Sequence, residues 1–335
     1  MIAVTFAVGV LSFFLVGAVL RVARATGLVD RPGARSSHAT PTPTGVGLGL
    51  IGAIAIVGLL AGPVLPAVSA GQGAYPVFWS ALVLLALGLS LVGFIDDVRG
   101  VPAGARFVLQ LLAAAAALAI LGVGLGAGYG LPFIVATLAL TWTMNAYNFM
   151  DGSNGMAGLQ GIFSGVLLAV LFRIGGQPEL ALAAAAVAAA CAGFLPWNFP
   201  GARGFMGDAG SVPLGYLLGV LCLAGALSGA LPWPVALLVL AVFHIDAGLT
   251  LLRRLWRRER WYTAHREHVY QKLIAKGWTH ANVALAYMAL NAVLIAPASL
   301  LGTLYADLAG WLSAGIIAVL VIGWLAASSG LEGRA

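Results

Sequence analysis

A chain of 335 residues, of which 61% are hydrophobic and only 8% charged, is not an ordinary soluble domain, because such domains carry about 25% charged residues. Its net charge of +6 does not indicate a nucleic-acid partner, since basic inner loops and anionic lipid account for it. We therefore predict one all-α, polytopic integral membrane domain over residues 1–335, with no binding to nucleic acid.

Apolar runs of about 20 residues indicate helices that cross the hydrocarbon layer. The chain contains eleven such runs, and we expect about ten or eleven transmembrane helices. In chain order, the runs cover residues 2–20, 45–66, 76–95, 107–124, 131–147, 156–174, 180–197, 212–230, 234–252, 283–302 and 308–327.

The positions of the basic residues predict the orientation. With the N-terminus outside and the C-terminus inside, the inner segments hold 16 of the 17 Lys and Arg residues and leave only Arg173 outside, as expected of cytoplasmic loops. No basic residue precedes the first run, whereas Arg21 and Arg24 follow it. This is the charge order of a retained helix rather than of a cleaved leader.

The acidic residues gather on the inner side of this topology. Only Glu179 and Asp307 fall outside, and Asp246 lies within the ninth run, where we expect an ion pair or hydrogen bond to Arg253 or a neighbouring helix. A transporter would instead concentrate ionisable groups near the membrane midplane. The pattern favours a site open to a cytoplasmic substrate and laterally to lipid. The inner loops and inner helix ends carry Asp30, Asp96, Asp97, Asp151, Asp208, Glu259 and Glu267, and Glu332 lies in the inner tail.

The first two inner loops suit phosphate and metal. LVDRPGARSSHATPTPTGVG carries Arg31, Arg35 and His38, which can meet a phosphate, although an ordinary basic inner loop is the alternative. In GFIDDVRG, the adjacent Asp96 and Asp97 repel each other unless a cation lies beside them. Mg²⁺ suits oxygen ligands and phosphates. The alternative is a helix-terminal acid pair that is matched by Arg99 and Arg106.

The third loop begins with NAYNFMDGSNG. Asn145, Asn148 and Asp151 fall at positions i, i+3 and i+6, on one face if the helix continues, and can read a base or a sugar. Gly152 and Gly155 permit a turn and a close backbone approach. The alternative is a helix end at which the Asn and Asp side chains serve only as caps.

The fourth loop, PWNFPGARGFMGDAGS, places Asp208 between Gly207 and Gly210, where we expect room for a metal or phosphate, with Asn198 and Arg203 upstream. An ordinary turn would also favour Gly and Asp.

The fifth inner loop reads RRLWRRERWYTAHREHVYQKL, and its cluster Arg253–Arg260 is typical of a membrane-surface anchor. His265, Arg266 and His268 are donors for phosphate oxygens. Their H-x-x-H spacing also admits zinc, but no Cys is near and the surrounding acids favour oxygen-binding metals.

Five strings in these loops, taken together and in order, resemble the polyprenyl-phosphate N-acetylhexosamine-1-phosphate transferases of glycosyltransferase family 4. The resemblance extends from Asp30 to Lys272. Its last string resembles the bacterial branch that initiates O-antigen or related lipid-linked glycans, whereas the peptidoglycan branch has a His-rich run there. The strings are D-R-P-x-x-R-S-S-H, F-I-D-D-V-R-G, N-A-Y-N-F-M-D-G, W-N-F-P-x-A-R-x-F-M-G-D-x-G-S and A-H-R-E-H-V-Y-Q-K-L.

The resemblance implies a Mg²⁺-dependent reaction, with Mn²⁺ as a substitute, in which a UDP-N-acetylhexosamine gives its sugar-1-phosphate to undecaprenyl phosphate and releases UMP. It implies a multi-pass protein of the bacterial inner (plasma) membrane, in contact with membrane lipids and with its catalytic face in the cytoplasm. A homodimer is compatible with it. The reaction would be the first membrane step of O-antigen, lipopolysaccharide or related cell-envelope polysaccharide synthesis.

The same resemblance assigns roles to residues. Asp208 matches the family's metal-binding aspartate, and Asp96 and Asp97 match the acidic pair near the metal and the lipid phosphate. We thus expect catalytic roles for Asp96, Asp97 and Asp208, and metal ligation by Asp208, Asp97 and Asp151. Expected substrate-binding residues are Asn145, Asn148, Asp151, Asn198, Arg203, His265, Arg266 and His268.

Two stretches depart from the family pattern. Members often read D-G-I-D-G after the Asn repeat, where this chain has Ser153 and Asn154, and Arg-Gly-Gly-Gly where it has Thr44-Gly45-Val46-Gly47. Direct displacement and an aspartyl intermediate both stay open. The alternative functions are a phospho-N-acetylmuramoyl-pentapeptide transferase and, in a different class, an anion or nucleotide-sugar transporter.

Overall fold

The computed structural model of the chain describes residues 2–31, 40–61, 75–123, 130–259 and 265–332. Apart from two short strands, its regular elements are helical. The N-terminal elements are α1 (Ile2–Thr26), β1 (Val29–Asp30), β2 (Thr42–Pro43), α2 (Gly47–Ala61), α3 (Tyr75–Arg99), α4 (Ala103–Ile120), α5 (Gly130–Phe149), α6 (Met156–Ile174) and α7 (Pro178–Asn198). The C-terminal elements are α8 (Asp208–Leu227), α9 (Trp233–Leu238), α10 (Ala241–Trp256), α11 (Val269–Ala275), α12 (His280–Leu290), a π-helical turn (Asn291–Ile295), α13 (Ala296–Leu304) and α14 (Ala306–Glu332).

Eight helical segments within the described residues are long and apolar enough to cross a membrane. They confirm an all-α, polytopic membrane protein. The eight segments are Ile2–Thr26, Trp79–Arg99, Ala103–Ile120, Met156–Ile174, Pro178–Asn198, Asp208–Leu227, His280–Leu304 and Ala306–Leu331.

The structure differs from the expectation of eleven uninterrupted runs at the ninth. This run, 234–252, is not one helix, because α9 ends at Leu238 and α10 begins at Ala241. The break frees the carbonyl of Val239, towards which the side chains of Ser164 and Gln160 point from α6, at 3.4 and 3.5 Å. Backbone groups inside a bilayer must be satisfied within the protein, and α6 supplies polar groups at this point.

The second run is helical from Gly47 to the end of its described part, and the fifth run is helical throughout. The described helix α2 is only 15 residues long, and part of the run 45–66 lies outside the described residues. Helix α5 covers the whole of 131–147, although it is not among the eight segments that are both long and apolar enough to cross a membrane. Its inner end carries the polar Asn145 and Asn148.

Helix α8 forms the centre of the bundle. The most apolar window of α8 is 83% buried, against 22% for α1 and for α14. Its neighbours α3 and α5 approach closely: a Cβ on Gly93 of α3 would lie 2.3 Å from the carbonyl oxygen of Asp208. The side chain of Ser90 donates to the carbonyl of Ala209 at 2.6 Å. These contacts hold the inner end of α3 against the first turn of α8.

The first and fourth inner loops are joined by their backbones. The N–H of Phe205 donates to the carbonyl of Pro43 at 2.7 Å, and the N–H groups of Val46 and Gly47 donate to the carbonyls of Phe205 and Met206 at 3.2 and 3.0 Å. The chain entering α8 is therefore fixed to the chain entering α2. Strands β1 and β2 pair antiparallel beside this junction, with Val29 opposite Pro43.

Candidate active site

Asp208 is the first residue of α8, and its carboxylate is held from two other helices. Nδ2 of Asn148, at the end of α5, donates to Oδ1 of Asp208 at 2.7 Å, and Nη1 of Arg106, in α4, donates to Oδ2 at 2.5 Å. Asn148 also donates to the hydroxyl of Ser211 at 2.9 Å. The Asp208 side chain is 21% exposed. It is thus oriented by neighbours but still accessible from the inner face.

Asp97 accepts hydrogen bonds from the N-terminus of α8. Its Oδ1 accepts from the N–H of Asp208 at 3.2 Å, and its Oδ2 accepts from the N–H of Ala209 at 3.3 Å. A carboxylate at this position satisfies orphan amides and complements the positive end of the helix dipole. The contact brings Asp97 next to Asp208, and their shared role at a metal stays a prediction.

Gly207 and Gly210, beside Asp208, have a different structural role from the one that the sequence suggests. Gly207 has φ +69°, and a Cβ there would lie 2.4 Å from Oδ2 of Asp97. A Cβ on Gly210 would lie 2.3 Å from the side chain of Met206 and 2.7 Å from Cα of Gly47. The interpretation that these glycines leave room for a metal or phosphate is wrong, since both spaces are filled by neighbouring protein.

Arg106 pairs with Asp96, one member of the acid pair of the second loop, and with Asp208 rather than with Asp97. Its guanidinium donates to Asp96 as well as to Asp208, and the N–H of Val101 donates to Oδ1 of Asp96 at 2.5 Å. Arg106 is not among the site residues that the sequence predicts, where it is only a counter-charge to the acid pair. The signal for it is a basic residue in the first turn of α4, ten positions after Asp96.

Helix α5 ends at Phe149, so the expected continuous face does not extend to Asp151. Asp151 lies in the following turn, where its carboxyl accepts no hydrogen bond from a residue that the structure describes. Burial, followed by the charges of Asp208 and Asp97, raises the pKa of Asp151 well above its usual value. Three carboxyl groups, on α3, on α8 and after α5, therefore lie within electrostatic reach of one another.

Asn145 and Asn198 make structural contacts. Nδ2 of Asn145 donates to Oε1 of Gln110 at 2.6 Å, which joins α5 to α4. Asn198 is 4% exposed; it accepts from the N–H of Gly155 at 2.6 Å and donates to the carbonyl of Gly204 at 3.0 Å. These bonds join the third and fourth inner loops. The substrate-binding role of both residues stays a prediction.

The exposed Arg203 lies over the ring of Trp197, with its guanidinium carbon 5.9 Å from the ring centroid. Its substrate-binding role likewise stays a prediction. Arg31 of the first loop is exposed, whereas Arg35 and His38 lie outside the described residues.

The fifth loop brings two histidines together. The ring centroids of His265 and His268 are 4.9 Å apart. Burial is the main cause that lowers the pKa of His265 to about 4, and burial also lowers the pKa of His268. Both rings are therefore neutral near pH 7, so each has one N–H to donate. Arg266 between them is exposed, whereas Glu267 pairs with Arg254.

Tyr270 in α11 joins this segment to the third loop. Its hydroxyl donates to the carbonyl of Phe149 at 3.0 Å, and a Cβ on Gly152 would lie 2.0 Å from the same oxygen. Gly152 therefore permits the tyrosine to approach the loop that carries Asp151. Tyr270 is not among the site residues that the sequence predicts. Its place in the A-H-R-E-H-V-Y-Q-K-L string is the one sequence feature that connects it with the site.

Ser153 and Asn154, which depart from the family pattern, also contact other parts of the chain. The hydroxyl of Ser153 lies 3.0 Å from Nδ1 of His280, and the N–H of Asn154 donates to the same nitrogen at 3.4 Å. The side chain of Asn154 donates to the carbonyl of Pro200 at 3.3 Å. In this chain, the two residues attach the third loop to α12 and to the fourth loop.

Asp97, Asp208 and Asp151 form a carboxyl cluster. Such a cluster suits a hard cation that is bound partly by the protein and partly by substrate phosphates. Within the described residues, no group of three or more His, Cys, Asp and Glu side chains is arranged to hold a metal ion unaided. Mg²⁺, however, commonly takes one or two carboxylates and completes its coordination with water and substrate phosphates. The carboxyl oxygens of Asp208 and Asp151 are of the type that such an ion takes, and their role as ligands stays a prediction. Asp97 accepts two backbone amides of α8, whereas the donors to Asp208 are side chains, which can turn away from it more easily. The predicted role of Asp97 as a ligand is therefore the least supported of the three.

Comparison with known proteins identifies the family of the chain. Residues 79–226, from α3 through most of α8, match glycosyl transferase family 4. The chain is 26% identical to the probable undecaprenyl-phosphate N-acetylglucosaminyl 1-phosphate transferase of Bacillus subtilis, over 96% of this chain and 89% of that protein. It is 30% identical to the decaprenyl-phosphate N-acetylglucosaminephosphotransferase of Mycobacterium tuberculosis, over 82% and 76% of the two chains.

A relative from the peptidoglycan branch is similarly close. The phospho-N-acetylmuramoyl-pentapeptide-transferase of Synechococcus sp. is 31% identical over 88% of this chain and 90% of its own length. With inner loops that converge on Asp208 and with relatives of this similarity and coverage, the chain belongs to the polyprenyl-phosphate N-acetylhexosamine-1-phosphate transferases of glycosyl transferase family 4.

Proposed function

We propose that this protein transfers N-acetylhexosamine-1-phosphate from a UDP-N-acetylhexosamine to undecaprenyl phosphate and releases UMP. The observation that carries the proposal is the convergence of Asp97, Asn148 and Arg106 on Asp208, at the inner ends of helices that cross the membrane. A site there is accessible to a nucleotide sugar from the cytoplasm and to a lipid phosphate from the bilayer.

The reaction exchanges one phosphoanhydride linkage for another. An oxygen of the lipid phosphate forms a bond to the phosphorus that bears the sugar, and the bond from that phosphorus to the oxygen of UMP breaks. The main obstacle is the repulsion between the two anions. Arg106 lies between Asp96 and Asp208, where its charge is available to a phosphate, and fixed positive groups of this kind lower such barriers.

The carboxyl groups have separate roles in this proposal. Asp96 holds Arg106, and Asp97 holds the first turn of α8 and thereby the direction of Asp208. Either Asp96 or Asp97 would keep the attacking lipid phosphate deprotonated. Asp208, with Asp151 and less directly Asp97, would hold Mg²⁺ or Mn²⁺. The ion would screen the charge of the phosphates while they meet.

The nucleotide sugar would contact the third, fourth and fifth inner loops. Asn148 and Asp151 would meet its base or sugar, with Asn145, Asn198 and Arg203 beside them. The N–H groups of His265 and His268, together with the guanidinium of Arg266, would donate to the pyrophosphate. Since both histidines are neutral near pH 7, Arg266 would carry the charge in this segment.

We propose O-antigen or a related lipid-linked glycan of the bacterial inner membrane as the product's use. The string A-H-R-E-H-V-Y-Q-K-L supports this branch. The names of the Bacillus and Mycobacterium relatives support only the transfer of N-acetylglucosamine 1-phosphate to a polyprenyl phosphate. The second candidate is transfer of phospho-N-acetylmuramoyl-pentapeptide, which the Synechococcus relative supports by its identity of 31%.

One assay tests both candidates. Detergent-purified protein would be incubated with Mg²⁺, undecaprenyl phosphate and, in turn, UDP-N-acetylglucosamine, UDP-N-acetylgalactosamine and UDP-N-acetylmuramoyl-pentapeptide. We expect release of UMP from a UDP-N-acetylhexosamine only when the lipid phosphate is present. Release from the pentapeptide donor alone would establish the second candidate. Absence of UMP in every combination, from folded protein, would contradict both.

A further inference from the structure

Asp246 is a buried acid that the proposed chemistry does not use. It lies in the apolar α10 with 2% of its surface exposed. The hydroxyl of Tyr287 in α12 donates to it at 2.6 Å, and Nε1 of Trp324 in α14 donates at 3.0 Å. The N–H groups of Val269 and Tyr270, at the start of α11, donate at 3.0 and 3.5 Å. Side chains and backbone from three other helices thus meet at one carboxyl group.

The two amides belong to the segment that carries the histidines. The first N–H groups of a helix have no partner within it, and a buried acid that receives them fixes where the helix begins. His268 immediately precedes α11, and its Nδ1 lies 3.9 Å from Oδ1 of Asp246. The His268 ring stacks against Phe149 and Tyr270, with centroid distances of 6.3 and 5.7 Å. Asp246 is therefore in direct contact with the backbone that places His268.

The contacts continue from α11 to the carboxyl cluster. Tyr270 donates to the carbonyl of Phe149 at 3.0 Å. Phe149 adjoins Asn148, which donates to Asp208 at 2.7 Å. The third loop, with Asp151, follows directly. The position of α11 thus sets the distance between the His265–His268 segment and the third loop.

We propose that Asp246 is a positioning residue for the nucleotide-sugar side of the site. Held by Tyr287 and Trp324, it fixes α11 so that the His265–His268 segment faces the loop that carries Asp151. This inference rests on the proposed function. Among the expected site residues, Asp246 lies closest to His268 and the start of α11, so weakening its support raises the KM for the UDP-sugar more than it changes kcat or the KM for undecaprenyl phosphate.

Tyr287→Phe is the most direct test, because it removes one donor to Asp246 and keeps the ring. The matched control is Tyr216→Phe, since the buried Tyr216 hydroxyl has no hydrogen-bond partner among the residues that the structure describes. We expect the KM for the UDP-sugar to rise about tenfold in Tyr287→Phe, with kcat within about twofold and an unchanged melting midpoint. The control should match the wild-type protein in all three.

Hydrogen exchange gives a readout that does not depend on activity. In Tyr287→Phe and in Trp324→Phe, the amides of Val269–Ala275 should exchange faster, while those of α8 keep their wild-type rate. Trp311→Phe is the control for the second variant, because Trp311 is 81% exposed. Unchanged exchange in α11 would overturn the proposal. Faster exchange in all helices with a lower midpoint would also overturn it, since Asp246 would then only stabilise the fold. If no UDP-sugar reacts, the proposed function fails, but the exchange result still decides the role of Asp246.

Discussion

Nη1 of Arg106 lies 2.5 Å from Oδ2 of Asp208 and also pairs with Asp96. One cation in the first turn of α4 therefore joins the inner end of α3 to the start of α8. Its side chain is 33% exposed, so it can reach a phosphate without leaving the protein surface. The residue that neutralises the acids at rest is thus well placed to neutralise substrate during the reaction.

Replacement of this cation should lower activity strongly. In Arg106→Gln, Asp96 and Asp208 face each other without the positive charge, and a phosphate loses one donor. We expect turnover at equal folded protein to fall on the order of 10²–10³-fold, as for other fixed groups that stabilise developing charge. Arg106→Lys should recover part of the loss. The control is Arg99→Gln, at the exposed end of α3; an equal loss in that variant would contradict a specific role for Arg106.

Asp208→Asn tests the metal site. If Asp208 holds Mg²⁺ between the two phosphates, the substitution should lower turnover by a factor on the order of 10²–10³, equivalent to about 3–4 kcal/mol in the barrier. It should also shift the Mg²⁺ concentration that is needed for half-maximal rate. Asn154→Asp restores an acid that relatives often have and should stay within about tenfold of the wild-type rate. Normal turnover and an unchanged Mg²⁺ titration in Asp208→Asn would show that the metal lies elsewhere.

Asp151 should make stability depend on pH. Burial and the charges of Asp208 and Asp97 raise its pKa well above the usual value of 3.8, so the folded protein holds a proton that the unfolded chain has released. Between these two pKa values, stability decreases as pH rises. Asp151→Asn should therefore raise the melting midpoint more at pH 8 than at pH 4, while it lowers activity. Equal shifts of the midpoint at both pH values would contradict the raised pKa.

The orientation can be tested with single cysteines, because Cys191 and Cys222 are both buried. Arg99 and Ala306 are exposed at opposite ends of the helices. In intact cells, an impermeant thiol reagent should label Ala306→Cys and should label Arg99→Cys only after the membrane is permeabilised. The reverse pattern would invert the predicted topology and place the carboxyl cluster outside the cytoplasm.

The sequence predicted the helices best where an apolar run has clear ends. The run 156–174 coincides with α6, Met156–Ile174, because a left-handed Gly155 precedes it and Gly175 follows it. The run 234–252 is equally apolar but contains the break before Ala241. Hydropathy reports how readily a segment enters the membrane, but it carries no information about a polar side chain on another helix that receives a broken backbone.

The same distinction applies to the site: the sequence indicates which residues matter but not which residues they contact. The acids at the inner ends of apolar helices could be predicted as a group, because a charge near a bilayer is costly and is usually functional or paired. The hydrogen-bond and ion-pair partners of these acids could not be predicted. Arg106 and Asp208 are 102 positions apart, and Asp246 is 41 positions from Tyr287 and 78 from Trp324. Such partners depend on which helices cross, and a single sequence does not contain that information.

The break between α9 and α10 has a consequence for how the protein is made. Ser164 and Gln160 of α6 point towards the freed carbonyl of Val239, and Oε1 of Gln160 accepts from Nδ2 of Asn291 at 2.6 Å in the π-helical turn. A ribosome delivers α6 long before Asn291, so these polar groups enter the bilayer without their final partners. The C-terminal third must therefore pack against helices that are already inserted. The hydrogen bonds of Gln160 and Ser164 with Val239 and Asn291 form only after these last segments have been synthesised.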